Sequence, residues 1–394
     1  MLRARNSAFL SVLQLVGACA ASPGRPSTPP AATAPRADEQ TIDVEPLRIR
    51  VVEEAGKAPE VEAYDARDLF DQAGAALDGE SWDQALALYD RLLAEFPSSA
   101  LVVPALFNAG LAHEGKGDWA GAVSRYQEVR RASQRPRDRI DATLRMAAVL
   151  AEEGAWDRSV AALDDALADK AASADDRLEA LARKGYALVE QKSYPAAEAA
   201  LTAAVALGAR AGSFAAMARF YLAEVPRRQA AAVALRLPDA QLRADLEAKA
   251  KLVLLAQARY EATVELGNVY WATAAAHAMA TMQEDMWRAL VAAPVPAQLK
   301  PDEVAIYVAE VRKLARPYLD RALDIHRKNV DLAERYRTES PWSEASRQRI
   351  PVVAALIARE ERGEKPGAGD LAEPPAGAVT AGDPERYVPA RIDL

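Results

Sequence analysis

Between residues 66 and 361 apolar side chains return every three or four positions, the spacing that gathers them on one face of an α-helix. Period-two alternation is confined to residues 47–52, enough for one short strand. The apolar positions are filled mostly by alanine and leucine, and strand-forming residues are thin between them. Alanine loses no side-chain entropy on entering a helix, so local preference and periodicity agree on an all-α fold.

The helical pattern is itself periodic. Trp82, Trp119 and Trp156 stand 37 residues apart, and Tyr194 follows 38 later. Three residues after each aromatic comes a small one (Ala85, Ala122, Ser159, Ala197), and seven after comes a larger apolar one (Tyr89, Tyr126, Leu163, Leu201). Nine before each is another small residue: Ala73, Gly110, Ala147, Gly185. Glycine-bearing polar turns precede the first three aromatics, whereas the fourth, Gln191-Lys192-Ser193, has no glycine. Each unit therefore reads as helix, tight turn, helix, with the small residues letting two antiparallel helices approach closely. One such hairpin cannot bury its apolar face alone, so neighbouring units must stack.

This arrangement resembles the tetratricopeptide repeat, and the resemblance implies a helical-hairpin solenoid with four such repeats over residues 63–212. Pro97 closes the first unit as in that family, but the later units lack it. Units of 37–38 residues also exceed the usual length of about 34, which predicts longer connecting loops. Downstream, residues 213–222 and 227–235 predict a fifth, degenerate hairpin. Residues 239–293 predict one or two long helices broken at Gly267-Asn268, followed by a helix over 302–337 running past Pro317 and a last helix after Ser340. The stretch 213–361 is thus expected to pack as longer helical hairpins capping the array.

The first 18 residues have the layout of a secretory signal, with Arg3 and Arg5 ahead of a short apolar run. Val16-Gly17-Ala18-Cys19 then resembles the bacterial lipobox, which implies acylation at Cys19, the single cysteine of the chain. Several acyl chains anchor a protein far better than one, each buried CH₂ adding about 0.8 kcal/mol. Ala20, where an Asp would resemble an inner-membrane retention signal, points to the outer membrane. Plain secretion into the periplasm after an ordinary signal cut is the alternative. Residues 19–62 are rich in proline and alanine and predict a disordered tether, and 362–394 predict a disordered tail.

Composition narrows the partners. The chain carries 49 basic and 57 acidic residues, a net charge of -8, with the basic ones scattered. Such a surface repels a phosphate backbone, so nucleic acid is not an expected partner. One cysteine and three histidines are too few for a structural zinc site or a disulfide framework. No cofactor, metal or catalytic residue is expected. His113 and His277 read as packed helix residues and His326 as part of a solvated face. The pairs Asp164-Asp165 and Asp175-Asp176 read as surface. Trp82, Trp119 and Trp156 read as repeat core, and Trp287 as core with an exposed anchor as the alternative.

In tetratricopeptide arrays the first helix of each unit lines a groove, and the resemblance places Phe70, Phe107, Asn108, Leu144, Arg145, Arg183 and Tyr186 there. That mix suits an amphipathic or extended peptide. The alternative is that these residues pack the array or face water. The whole layout resembles the repeat lipoproteins of myxobacterial gliding-motility machinery and, more distantly, those coordinating outer-membrane assembly and the Tol-Pal system. It implies a non-catalytic, lipid-anchored scaffold on the periplasmic face of the outer membrane, with envelope proteins or peptides as partners. A peptidoglycan-binding or peptidoglycan-modifying factor is the alternative from another class, and it would need exposed rings at Phe70, Phe107 or Tyr186.

Overall fold

Four helix pairs follow one another at the sequence period: α1 (Ala66–Asp78) with α2 (Trp82–Glu95), α3 (Val102–Lys116) with α4 (Trp119–Ala132), α5 (Pro136–Glu152) with α6 (Trp156–Ala168), and α7 (Ala174–Glu190) with α8 (Tyr194–Leu207). The computed structural model describes residues 46–52, 60–207, 212–364 and 366–371. Cys19, the expected signal segment, most of the expected tether and residues 372–394 lie outside the described residues.

Within each pair the small and large positions do what their sizes dictate. Tyr89, Tyr126, Leu163 and Leu201 have no exposed surface, and Ala85, Ala122, Ser159 and Ala197 are buried beside them. A Cβ placed on Gly110 would meet the Tyr126 ring at 2.6 Å, and one on Gly185 would meet Leu201 at 2.3 Å. Those helices touch only because the side chain is missing. Trp82, Trp119 and Trp156 differ from expectation, being half-buried rather than core. Trp82 reaches over to the next unit, where its indole occupies the space a Cβ on Gly115 would need.

The tight turns share one conformation. Glu80, Gly117, Gly154 and Lys192 occupy the same place in the four units, and all have positive φ, between 55° and 76°. Glycine adopts that region freely, whereas Glu80 and Lys192 hold it against the clash of their Cβ atoms. Polar ties roughly one period long join successive units: Arg125 to Asp90 at 2.6 Å, Arg137 to Asp176 at 2.7 Å, and Gln191 to Asp157 at 2.6 Å.

Beyond the fourth unit the structure corrects the expected hairpin at 213–235. A single helix α9 (Ser213–Ala232) runs through Pro226, because Phe220, Tyr221 and Val225 are buried just before it and hold the helix across the lost hydrogen bond. Its antiparallel partner is α10 (Asp239–Glu265). The joint with the array is ionic. Glu224 of α9 is buried and accepts from Arg227, Arg228 and the Tyr260 hydroxyl, while Arg228 also donates to Glu190 of α7 at 2.6 and 3.0 Å. Burial alone would raise the Glu224 carboxyl, but the two guanidiniums outweigh it and hold it at about 2.

Gly267, at φ 81°, ends α10, and Asn268 caps α11 (Val269–Val291). Then come α12 (Pro301–Tyr336), continuous past Pro317, and α13 (Pro341–Glu361), whose first turn is closed by Ser340 and Ser343. Trp271, Trp287 and Trp342 are all buried among these helices, so Trp287 is core. Among the described residues no helix is long and apolar enough to cross a membrane.

Ordered structure also enters both terminal segments: the short strand expected over 47–52 forms, and it has an unexpected partner. Strand β1 (Arg48–Val52) pairs antiparallel with β2 (Glu60–Tyr64), Ile49 opposite Ala63. The Tyr64 hydroxyl donates to Glu95 at 2.7 Å, Arg48 donates to the Glu95 carbonyl at 3.0 Å, and the Tyr64 ring packs edge-on against Phe96. Docking on the end of α2 supplies what this short hairpin lacks alone. After α13 a single turn α14 (Ala368–Leu371) is tied by Asp370 to Arg359 at 2.6 Å, and Leu371 packs on the apolar cluster that includes Trp287 and Leu319.

Two substitutions test the register. Gly110→Leu overfills the α3–α4 contact, a cost of about 1–3 kcal/mol or more, and should lower the midpoint of thermal unfolding followed by circular dichroism. Lys192→Gly relieves a left-handed residue worth about 1 kcal/mol and should raise the same midpoint. No change in either would place the contacts elsewhere.

Candidate protein-binding surface

The seven residues expected in the groove divide by environment. Phe70, Phe107 and Leu144 are buried, with Phe70 edge-on to Tyr89 at 5.9 Å and Phe107 edge-on to Tyr126 at 5.4 Å. They fill the insides of the units rather than a surface. Their own spacing explains this: they stand 37 residues apart, the signature of core positions in this chain. Tyr186 is half-buried, its ring lying against Trp156 at 5.6 Å and Tyr221 at 4.7 Å.

The three polar members share one sequence register with Asp71, which is not among the expected residues. Asp71, Asn108, Arg145 and Arg183 are 37, 37 and 38 residues apart, one on each first helix. Arg145 grips Glu114 of the preceding unit through two bonds of 3.1 and 2.6 Å, and Glu114 also accepts from the Tyr126 hydroxyl. Arg183 donates to Glu179 at 2.8 Å and stacks over Phe214 at 4.9 Å. Asn108 is fully buried, and neither atom of its amide meets a protein partner. Periodicity alone could have separated this changing polar register from the constant apolar one.

A second concavity lies among α4, α5 and α6. It has a volume of about 460 Å3, and Arg130, Arg131 and Arg139 face it together with Asp165, Asp169 and Ile140. The sequence reading did not single out these arginines.

Towards the C-terminus three helices assemble a buried polar cluster. Ser346 Oγ of α13 is 3.0 Å from His326 Nδ1 of α12, and His326 Nε2 is 3.0 Å from Glu284 Oε1 of α11. His277 Nδ1 is 3.1 Å from the same serine oxygen, Asn329 donates to it at 2.9 Å, and Arg349 donates to Glu284. The serine–histidine–carboxylate order matches that of a hydrolytic triad, but Ser346, His326 and Glu284 are all at 0% exposure. A substrate atom has no path to the hydroxyl, and the cluster works as a fastener between α11, α12 and α13. His326 is therefore not on a solvated face; its partners lie 42 and 20 residues away in sequence, on other helices. His113, by contrast, stays on its own unit, 2.8 Å from the helix-capping Asp118. Among the described residues no group of three or more His, Cys, Asp and Glu is placed to hold a metal ion.

Burial, with His326 beside it, pushes His277 down to about 4, so the imidazole is neutral near pH 7. For Glu284 burial alone would raise the carboxyl, yet hydrogen bonds from His326 and Arg349 hold it below its ordinary value. Unfolding frees His277 to take a proton near its ordinary 6.5, so the unfolded chain binds more protons between 6.5 and about 4 and stability falls as pH falls through that window. The contribution of His277 to the thermal midpoint should therefore be complete above pH 7 and decline below 6.5. His277→Gln should flatten the upper part of that decline; an unchanged slope would place the titration elsewhere.

The tetratricopeptide repeat family model matches residues 69–99 and 104–132, the first two units. No curated protein matches the chain. Among solved structures, the MamA protein is 18% identical, covering 59% of this chain and 96% of its own, with a TM-score of 0.37. A tetratricopeptide repeat protein from Parabacteroides merdae is 13% identical, covering 73% and 98%, with a TM-score of 0.37. The C-terminal part of a repeat protein from Cytophaga hutchinsonii is 10% identical, covering 75% and 98%, with a TM-score of 0.42. Scores of that size carry no functional argument. The first two units thus match the tetratricopeptide-repeat model, within an all-α solenoid of stacked helical hairpins.

Proposed function

We propose that the chain is a non-catalytic protein-binding scaffold, held at the periplasmic face of a bacterial outer membrane by a lipid on Cys19. One observation carries the binding part. The core positions keep their sizes from unit to unit, while the polar position changes from Asp71 to Asn108, Arg145 and Arg183. Polar positions that change on a constant frame make each unit junction chemically distinct, which a repeat array needs in order to recognise one particular partner, although Asn108 and Arg183 are themselves buried. The anchor rests on the lipobox-like Val16-Gly17-Ala18-Cys19 and on Cys19 being the single cysteine. Glycan binding has less support, since Phe70 and Phe107 are buried and Tyr186 is packed between two other rings. The resemblance to gliding-motility lipoproteins makes that kind of envelope machine the first place to look for partners.

The experiment is fractionation of cells carrying the wild type or Cys19→Ala, followed by cross-linking and affinity capture of the tagged wild type from detergent-solubilised envelope. The variant should leave the membrane fraction, and the wild type should return envelope proteins in stoichiometric amounts. A variant retained on the membrane would end the anchor reading. Recovery of the bare wild type would end the scaffold reading.

A further inference from the structure

At the junction of the second and third units the array departs from its own pattern. The last turn of the second helix carries Leu93-Ala94 in α2 and Leu167-Ala168 in α6, each 37 residues from Arg130-Arg131 in α4. Leu93 and Leu167 are partly buried and pack on the core, so the repeat itself favours an apolar residue there. Three positions earlier the shift has the same sign, with Gln127 standing between Asp90 and Asp164. Gln127, Arg130 and Arg131 all face the cleft of about 460 Å3.

A structural duty accounts for only one of the three arginines. Arg139 donates to the carbonyls of Ser133 and Gln134 at 3.4 and 3.1 Å, closing the end of α4. Arg177, 38 residues later, does the same for the end of α6 through the carbonyls of Leu167 and Asp169. Arg130 and Arg131 have no such counterpart. Arg130 reaches Asp165 at 3.2 Å in an exposed pair, an interaction of little net worth. On the α6 wall Asp169 accepts from the Ala171 backbone N–H at 2.9 Å. Arg131 is exposed at the rim, and Ile140 is buried at the floor. With Asp165 engaged by Arg130 and Nη1 of Arg139 by the two carbonyls, the cleft is left with Arg131 and Nη2 of Arg139 against Asp169, on a chain whose net charge is -8.

We propose that this cleft docks an acidic segment of a protein partner, receiving an Asp or Glu carboxylate on Arg131 and Arg139 and a neighbouring apolar side chain over Ile140. Guanidinium groups suit this ligand because their planar fork matches a carboxylate. The inference rests on the protein-binding reading above and adds the partner's chemistry. The site differs from the groove of first helices, since two of its three walls are second helices.

The test uses the full-length protein and fluorescence anisotropy with a labelled peptide, Glu-Asp-Leu-Glu-Asp, against its amide counterpart, Gln-Asn-Leu-Gln-Asn. The double variant Arg130→Leu/Arg131→Ala installs the residues that the neighbouring units already carry. The wild type should prefer the acidic peptide, and the double variant should bind it about tenfold more weakly, the scale of one charge-assisted contact. Its thermal midpoint should stay level or rise, since an apolar residue returns to a position that packs on the core. Equal binding by wild type and variant, no preference of the wild type for the acidic peptide, or a lowered midpoint would each overturn the proposal. So would a comparable loss with Arg158→Ala, an exposed arginine on α6 outside the cleft. In envelope capture, partners recovered equally by wild type and double variant would remove the cleft alone, whereas no partners with the wild type would remove the scaffold reading itself.

Discussion

The structure depends on how closely two helices of one unit can approach. Tyr126 needs the room left by Gly110, and Leu201 needs the room left by Gly185. In the first and third units the same sequence position holds Ala73 and Ala147, both buried, as are Tyr89 and Leu163. Once those contacts fix the hairpin, its apolar edge has one place to go, against the next hairpin. The alternation of small and large residues sets the geometry inside a unit, and repetition of that unit sets the array. Hydrophobic burial drives the assembly, but the missing side chains decide its register.

Charges then finish what packing begins. Glu114 is claimed by Tyr126 of its own unit and by Arg145 of the next, so Arg145, expected in the groove, is spent on cohesion. Arg183 and Tyr186 are likewise engaged with neighbours. Interest therefore moves from the first-helix groove to places where the polar residues exceed what cohesion needs. The junction of α4, α5 and α6 is such a place.

The register, the turns and the all-α class were legible because each rests on residue size or backbone freedom at a fixed spacing. Even the fourth turn, which lacks glycine, keeps the left-handed residue at Lys192. Other features were hidden for physical reasons. Of the β1–β2 hairpin only β1 had a local signature, the alternation over 47–52; its pairing with β2 and its docking on Glu95 and Phe96 are tertiary contacts. Pro226 marks a break by local rules, and packing overrides it. His326 carries polar neighbours in sequence and so reads as surface, although its true partners arrive from α11 and α13. Phe70, Phe107 and Leu144 show that a residue recurring at the period belongs to the frame, whereas residues that change at the period are the ones to examine for recognition.

Repeat arrays usually fray from their ends, because each unit contacts only its neighbours and the loss of one barely disturbs the next but one. The buried charge at Glu224 changes that behaviour here. Its carboxylate faces Arg227, Arg228 and Tyr260, and Arg228 continues to Glu190, so α7, α9 and α10 share one set of compensated charges. Opening α7 breaks the Arg228–Glu190 pair, and opening α10 takes the Tyr260 hydroxyl from the buried Glu224, each a loss of about 1–3 kcal/mol. Unravelling that starts at either end of the chain should therefore slow at this junction. The molecule has a cooperative middle and looser flanks, so force applied through its ends would extend the flanks before the joint gives way.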